Sequence, residues 1–371
     1  MPASARNLAE LVRDSPAWRP ERAALVADAR RFTWGRLDRA VDAFAAALAG
    51  ARLPTGARVA LVLGNVSEFA VAYFGVLRAG LVAVPVSPAY TSRELTHVLA
   101  DAEAALVVCR ADACAAVRAA ARATRARVVV SGAEPAAGET SYAALLDAGA
   151  GHGRVEPTTG DEDLAVLLYT SGTGGRPKAA MLPHRALLAN LDQCARIDPA
   201  PMTSEDVVLL ALPLFHSYGL NAALGMLART GATGVLAERF DPAVTLALIR
   251  DAGVTSVPGI PPMYVAWTML PDLPEAFAGV RLAFSAAAPL PRRVFDAMLA
   301  ATGRPVYEGY GLTETAAVVT SSLCSAVVKP GSVGQPIPGV ELRRVDDTGD
   351  PVDPGDPGEI VVRGESLFRG Y

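Results

Sequence analysis

Residues 57–86 read ARVALVLGNVSEFAVAYFGVLRAGLVAVPV. Val59–Leu63 and Leu81–Val86 are short aliphatic runs, and both predict buried strands. Between them, after Asn65, Phe69, Tyr73 and Leu77 recur at helical spacing and predict a helix. Strands alternating with helices in this way argue for a parallel, doubly wound α/β sheet.

The alternation continues in both directions. Upstream, Thr33 is a candidate cap for a helix carrying Trp34, Leu37, Val41, Phe44 and Leu48 on one face. Downstream, a helix opens near Ser92 with Glu94 and Leu95, and Ala105–Val108 and Val128–Val130 read as strands. Residues 131–161 are rich in Gly, Ala and Glu, weakly patterned, and predict a surface excursion. Strands then follow at Leu164–Tyr169, Val207–Ala211, Val254–Val257 and Val280–Phe284. Helices are expected at Arg185–Ile197, after Asp241, near Met263–Leu270 and near Arg292–Leu299. From Lys329 onward Gly and Pro are frequent. Val340–Val345 and Glu359–Arg363 predict antiparallel strands, joined by the turn-forming DDTGDPVDPGDPGE.

Composition narrows the function classes. At 371 residues the chain exceeds one ordinary domain of about 150. With 51% hydrophobic and 19% charged residues it is not a disordered chain. A net charge of −4 offers no basic footprint for nucleic acid or an anionic membrane. No apolar run reaches the length of a membrane span, and the N-terminus lacks the apolar stretch of a secretory signal. The four cysteines, Cys109, Cys114, Cys194 and Cys324, form no CxxC pair and read as reduced thiols of a cytoplasmic protein. The histidines are equally dispersed, which argues against a Cys/His metal site.

Two loops carry the chemistry. In Leu168–His184, LYTSGTGGRPKAAMLPH, a buried strand opens into Thr170, Ser171, Gly172, Thr173, Gly174 and Gly175, then Pro177 and Lys178. Glycines let backbone N–H groups approach an anion, the hydroxyls add donors, and Lys178 adds charge. The ordinary nucleotide P-loop does not fit, because Ala179 follows Lys178. Alone, such a loop is as often plain surface. The second stretch, Val306–Thr315, reads VYEGYGLTET. Tyr310 offers a ring for stacking on a base, Thr313 a hydroxyl, and Glu314 a carboxylate suited to Mg²⁺ beside phosphates. Taken singly, Tyr310 also reads as a packing aromatic and Glu314 as a solvated charge.

Together YTSGTGGRPK and YGLTET resemble the phosphate loop and the Tyr-Gly-x-Thr-Glu motif of the AMP-forming acyl-adenylating enzymes. That superfamily includes acyl- and aryl-CoA synthetases, luciferases and peptide-synthetase adenylation domains. Pro213–His216, Pro258–Tyr264, Ser285–Leu290, Gly331–Gly339 and Gly358–Tyr371 resemble its further segments in the same order, so the likeness covers nearly the whole chain. It departs where Gly174 replaces a usual Thr, Ala179 a usual Gly, SAAAPL the usual SGGAPL, and Glu308 a common Gln. The family's Thr-Gly-Asp motif, hinge and small C-terminal domain with its lysine would lie beyond Tyr371. On that resemblance this chain is the large N-terminal domain, expected to fold alone and turn over poorly.

The resemblance implies two doubly wound α/β layers of mostly parallel sheet over about 1–328, and a small distorted β-barrel element over about 329–371. It implies attack of a carboxylic acid on ATP, giving an acyl-adenylate and pyrophosphate, then transfer to coenzyme A. Its roles map onto Thr170, Ser171, Gly172, Thr173, Gly174 and Lys178 for the phosphates, and onto Thr313 for the α-phosphate. Thr173 and Glu314 would hold Mg²⁺. Tyr310 would stack on adenine, with Ala287, Ala288, Glu308, Gly309 and Gly311 beside it. His216, Tyr218, Gly219, Ala222, Gly259, Ile260, Met263 and Ala287 would line a roomy hydrophobic acyl tunnel. Lys178, His216, Thr313 and Glu314 are the expected catalytic group, and Arg239 a contact for CoA phosphate. The absence of an Asp between Phe215 and Leu227 favours an acid without an amine. The alternatives are an acyl-AMP ligase loading a carrier protein, or a non-catalytic ATP/acyl-binding fragment.

Overall fold

The computed structural model describes residues 5–15, 18–27, 30–170, 177–353 and 355–371. Their strands, in chain order, are β1 (Ala23–Ala27), β2 (Arg30–Thr33), β3 (Arg58–Val62), β4 (Val82–Val86), β5 (Ala104–Arg110) and β6 (Arg127–Ser131). Next come β7 (Thr140–Ser141), β8 (Leu164–Thr170), β9 (Lys178–Pro183), β10 (Val207–Leu210), β11 (Thr233–Leu236) and β12 (Ser256–Gly259). The last are β13 (Leu282–Ser285), β14 (Val306–Tyr310), β15 (Thr320–Ser321), β16 (Gln335–Pro336), β17 (Glu341–Val345) and β18 (Glu359–Arg363).

These strands form a seven-stranded sheet, ordered β7-β6-β5-β3-β4-β8-β9, and a nine-stranded sheet, ordered β16-β15-β14-β13-β12-β10-β11-β1-β2. All pairings in the first sheet are parallel except β8–β9, and the second is parallel from β14 through to β1. The expected tail strands pair as a two-stranded antiparallel ribbon, β17–β18. Among the described residues they close no barrel, so the expected β-barrel element is an open ribbon.

Strand periodicity explains how the layers are cemented. In β3, Val59 and Leu61 enter the largest hydrophobic cluster, which lies between the sheets, while Ala60 and Val62 enter an outer cluster with Leu95, Val98 and Val117. β5 divides the same way, Leu106 and Val108 against Val107 and Cys109. The nine-stranded sheet has its own outer cluster, where Val257, Ala283 and Val306 pack with Trp267 from the helix Pro261–Trp267. Both faces of each parallel sheet are therefore covered, as the unbroken aliphatic runs require.

The helix caps follow the sequence signals. Thr33 accepts from the Arg36 amide at the start of Trp34–Gly50, and Asp241 from Val244 at the start of Pro242–Asp251. Thr91 and Glu94 form a reciprocal capping box on Ser92–Asp101. The stretch 131–161 is not merely surface. It contains the helix Tyr142–Gly149, whose Tyr142 ring packs 5.8 Å from Phe44. No helix among the described residues is long and apolar enough to cross a membrane.

Candidate active site

The parallel strands β14, β13, β12, β10 and β11 end on one edge of their sheet. The loops that follow them carry Gly311–Glu314, Ala286–Ala288, Ile260, His216–Tyr218 and Arg239. β10 lies between β11 and β12, so the winding reverses direction there. Loops on either side of such a reversal diverge and leave a crevice.

A cavity of about 160 Å³ opens at this reversal. Pro258 of β12 and Phe284 of β13, cross-strand partners, form one wall, with Ser256 further back along β12. Cys194 and Ile197 close it from the end of the helix His184–Ala195. Tyr218 and Ala222 come from the π-helical segment Tyr218–Gly225, and Ala286, Ala287 and Gly309–Gly311 form the mouth. Such wide turns recur at functional sites. Burial pushes the Tyr218 phenol well above its usual pKa, which keeps it neutral.

Of the expected acyl-pocket residues, Tyr218, Ala222 and Ala287 line this cavity and five do not. A Cβ on Gly219 would come within 2.3 Å of the Pro213 carbonyl oxygen, and one on Gly259 within 2.9 Å of the Tyr264 ring. Both glycines serve close packing. Met263 and Ile260 pack into the outer cluster on the opposite face of the sheet. His216 stays at the exposed rim with its ring 4.8 Å from Phe215, and partial burial of the imidazole lowers its pKa. The expected roomy tunnel is instead a compact chamber. Ser256, Phe284, Met202 and Cys194 were not legible as lining, because they come from a strand start, a strand interior, a loop and a helix end.

On the nucleotide side, Tyr310 ends β14 and lines the cavity mouth. Gly311 admits no side chain, since a Cβ would sit 1.5 Å from the Ala317 carbonyl oxygen. Thr313–Thr315 forms a single tight turn, after which Ala316 and Ala317 adopt φ of +59° and +134°. L-residues resist these conformations. Two buried asparagines hold them. Asn221 donates to the Ala316 carbonyl (2.9 Å), while Asn190 donates to the Val318 carbonyl (2.7 Å) and accepts from its amide (3.2 Å). Neither asparagine carried a sequence signal. Ala287 also has a positive φ, +69°, where the resembling family usually has Gly.

Glu308 does not face the site. It is buried, and its carboxylate accepts from the amides of Leu290 (3.1 Å) and Gly331 (2.7 Å). Its side chain clamps two loops together, and the expected role beside adenine is corrected accordingly. Ala288 is exposed on its loop and does not line the cavity.

Ser171, Gly172, Thr173 and Gly174 lie outside the described residues. Thr170 and Lys178, on either side of them, pair across the antiparallel β8–β9. Lys178 is exposed, with its Nζ 5.3 Å from the centre of the Tyr371 ring. The Tyr371 hydroxyl donates to the Glu314 carboxylate, and the Phe368 amide to the Glu314 carbonyl (2.8 Å). Residues 369–370 also bond to Met181 of β9. Lys178 of β9 and Glu314 of the turn after β14 therefore meet around one tyrosine. Thr313 is half-buried beside them.

Among the described residues no three His, Cys, Asp or Glu side chains cluster to hold a metal. A lone carboxylate at Glu314 still suits Mg²⁺, which commonly takes one or two carboxylates and completes its shell with phosphates and water. Arg239 is exposed on the turn after β11, 3.8 Å from Asp112. It shares the functional edge but lies across β10 from the cavity.

Residues 12–371 match the family described as AMP-binding enzyme. The chain is 31% identical to a long-chain-fatty-acid–CoA ligase of Escherichia coli O157:H7, over 99% of this chain and 71% of that protein. It is 34% identical to 4-coumarate–CoA ligase 3 of Oryza sativa subsp. japonica, over 92% of this chain and 62% of that one. It superposes on the ATP-bound crystal structure of MatB from Rhodopseudomonas palustris with a TM-score of 0.88 and 34% identity, covering 98% of this chain and 71% of that one. Motif order, two stacked parallel sheets and a match across almost every residue converge, and the chain belongs to the AMP-binding enzyme family.

Proposed function

We propose that this chain activates a carboxylic acid with ATP and passes the acyl group to coenzyme A. A carboxylate oxygen attacks the α-phosphorus, the bond to the β-phosphate breaks, and pyrophosphate leaves with the electron pair. A thiol then attacks the acyl carbon and AMP departs. The observation that carries this reading is an uncharged cavity opening at Tyr310–Gly311, beside the junction of Lys178 with Glu314.

Phosphoryl chemistry depends on positioning and charge compensation. Lys178, Thr170, Ser171, Gly172, Thr173 and Gly174 take the β- and γ-phosphates. Thr313 donates to the α-phosphate, and Tyr310 packs on the base with Gly309, Gly311 and Ala287. Glu314, with Thr173, holds Mg²⁺, which when bound offsets phosphate charge. Tyr371 yields the Glu314 carboxylate as the nucleotide enters. Tyr218 and Ala222 hold the acyl part, His216 sits at the entrance, and Arg239 takes a phosphate of CoA. Coenzyme A is preferred to a carrier protein as acceptor because the relatives are named as CoA ligases. The four cysteines are all unbonded, which suits a reducing cytoplasm.

The test is product analysis with ATP, Mg²⁺, CoA and a panel of carboxylic acids. Acid-dependent pyrophosphate and AMP with a CoA thioester are expected. ADP and phosphate as products, or nucleotide turnover indifferent to acid, would overturn the proposal.

A further inference from the structure

Resting on the adenylation reading, we infer that the acid taken here is a single-ring aromatic acid with a hydroxyl on the ring carbon opposite the carboxylate. Size is the first argument. The cavity measures about 160 Å³, and an apolar cavity of about 150 Å³ holds one benzene molecule. A substituted ring fills it. Charge is the second. No lining residue carries a charge, so a second carboxylate or a free ammonium on the substrate would be desolvated without a partner.

Hydrogen bonding is the third and most specific. Most hydroxyls in the wall are already engaged or near the mouth. Thr320 donates to the Val333 carbonyl (2.8 Å), and Ser321 accepts from the Leu323 amide (3.3 Å). One more is neither. Ser285 follows the wall residue Phe284 on β13 and pairs with Glu308, so its hydroxyl turns away from the chamber. Ser256, on the same face of β12 as the wall residue Pro258, is 2% exposed, and its hydroxyl makes no hydrogen bond with the described residues. Polar groups inside a protein are nearly always satisfied, so this unengaged hydroxyl in an apolar wall points to a ligand that satisfies it.

Its position sets the ligand's shape. The reacting carboxylate lies at the mouth, beside Ala286 and Ala287. Ser256 starts β12, three residues before its end at Gly259, which is about 10 Å of extended strand. A ring bearing its carboxylate at one end and a hydroxyl at the other spans this wall. A phenolic hydroxyl both donates and accepts, as serine does, and it stays neutral in an uncharged chamber. Ser256 is then the specificity-determining residue at the closed end.

The test uses sulfamoyl-adenosine analogues of the acyl-adenylate, read by calorimetry on the wild-type chain and on Ser256→Ala. The acyl groups are benzoyl, 4-hydroxybenzoyl and hexadecanoyl. The 4-hydroxybenzoyl analogue should bind about ten-fold more tightly than benzoyl, the equivalent of one well-made hydrogen bond. Ser256→Ala should erase that preference and leave benzoyl affinity and the thermal midpoint unchanged, since it removes only an unpaired hydroxyl. Equal binding of the two rings, a preference surviving in Ser256→Ala, or tightest binding of hexadecanoyl would overturn the inference while leaving adenylation standing. Binding of no analogue would overturn the adenylation reading and this inference with it.

Discussion

Glu308→Gln is the sharpest test of how the cavity mouth is held. The carboxylate is 5% exposed, and each of its oxygens takes one backbone amide, from Leu290 at 3.1 Å and from Gly331 at 2.7 Å. Glutamine has the same outline, and the resembling family often carries it here, so the fold accommodates it. Yet its side chain offers one acceptor oxygen, and its NH₂ must then face the second amide. The variant loses one charge-assisted hydrogen bond and leaves a buried N–H opposed by another donor. A hydrogen bond to a charged group contributes about 1.5–3 kcal/mol, so Glu308→Gln should lose about 2 kcal/mol of stability. Urea unfolding at neutral pH measures this as a lower midpoint with an unchanged slope. The Leu290 end of the Ala286–Leu290 loop should also loosen, so adenylate-analogue affinity should fall together with stability. A loss under about 0.5 kcal/mol, the range of ordinary surface changes, would refute the clamp.

Three further outcomes are expected. Lys178→Ala should weaken ATP binding by about 1.5–3 kcal/mol, the cost of a charged hydrogen bond; unchanged affinity by titration calorimetry would remove the lysine from the phosphate site. Glu314→Gln should keep the urea midpoint yet slow adenylation most at limiting Mg²⁺, and full activity there would exclude a metal role. His184 is fully buried, and that burial lowers its pKa to about 4. The unfolded chain takes up this proton below about 6.5, so stability should fall by about 3 kcal/mol as pH drops from 6.5 to 4. His184→Gln should flatten that slope relative to wild type, and parallel slopes would count against it.

What was legible in the sequence follows from what constrains each residue locally. A strand buried on both faces must be aliphatic throughout, so β3, β4, β5 and β8 could be read to within a residue or two. Caps depend on neighbours three residues apart, so Thr33 and Asp241 announced their helices, and Glu94 marked a third whose cap, Thr91, the structure supplies. The helix Cys114–Thr124 is mostly alanine, and its buried face of Cys114, Val117, Ala120 and Ala121 is built from small side chains that carry little signal one by one. Tyr142–Gly149 is short, and its burial depends on Phe44, nearly a hundred residues earlier. β1 is defined by the partner β11, supplied two hundred residues later, and β2 pairs in turn with β1.

The site divides along the same line. Tyr310, Thr313, Glu314 and Lys178 stand out as candidates because their own chemistry is the signal, within two short motifs. The cavity was not, because it is a property of surfaces that meet. Gly219 and Gly259 look like pocket floor in sequence, yet each is small because a carbonyl or a ring presses on it. Glu308 looks like a ligand contact beside Tyr310, yet its strand parity turns it away. Phe284, its diagonal neighbour on β13, faces the chamber instead. Asn190 and Asn221 sit within ordinary helical patterns, yet they hold the strained Ala316–Val318 turn that places Glu314. Motifs in this chain therefore identify the reaction. The acid it acts on is set by residues such as Ser256, whose meaning appears only once β12 is packed against β13 and the cavity is closed around it.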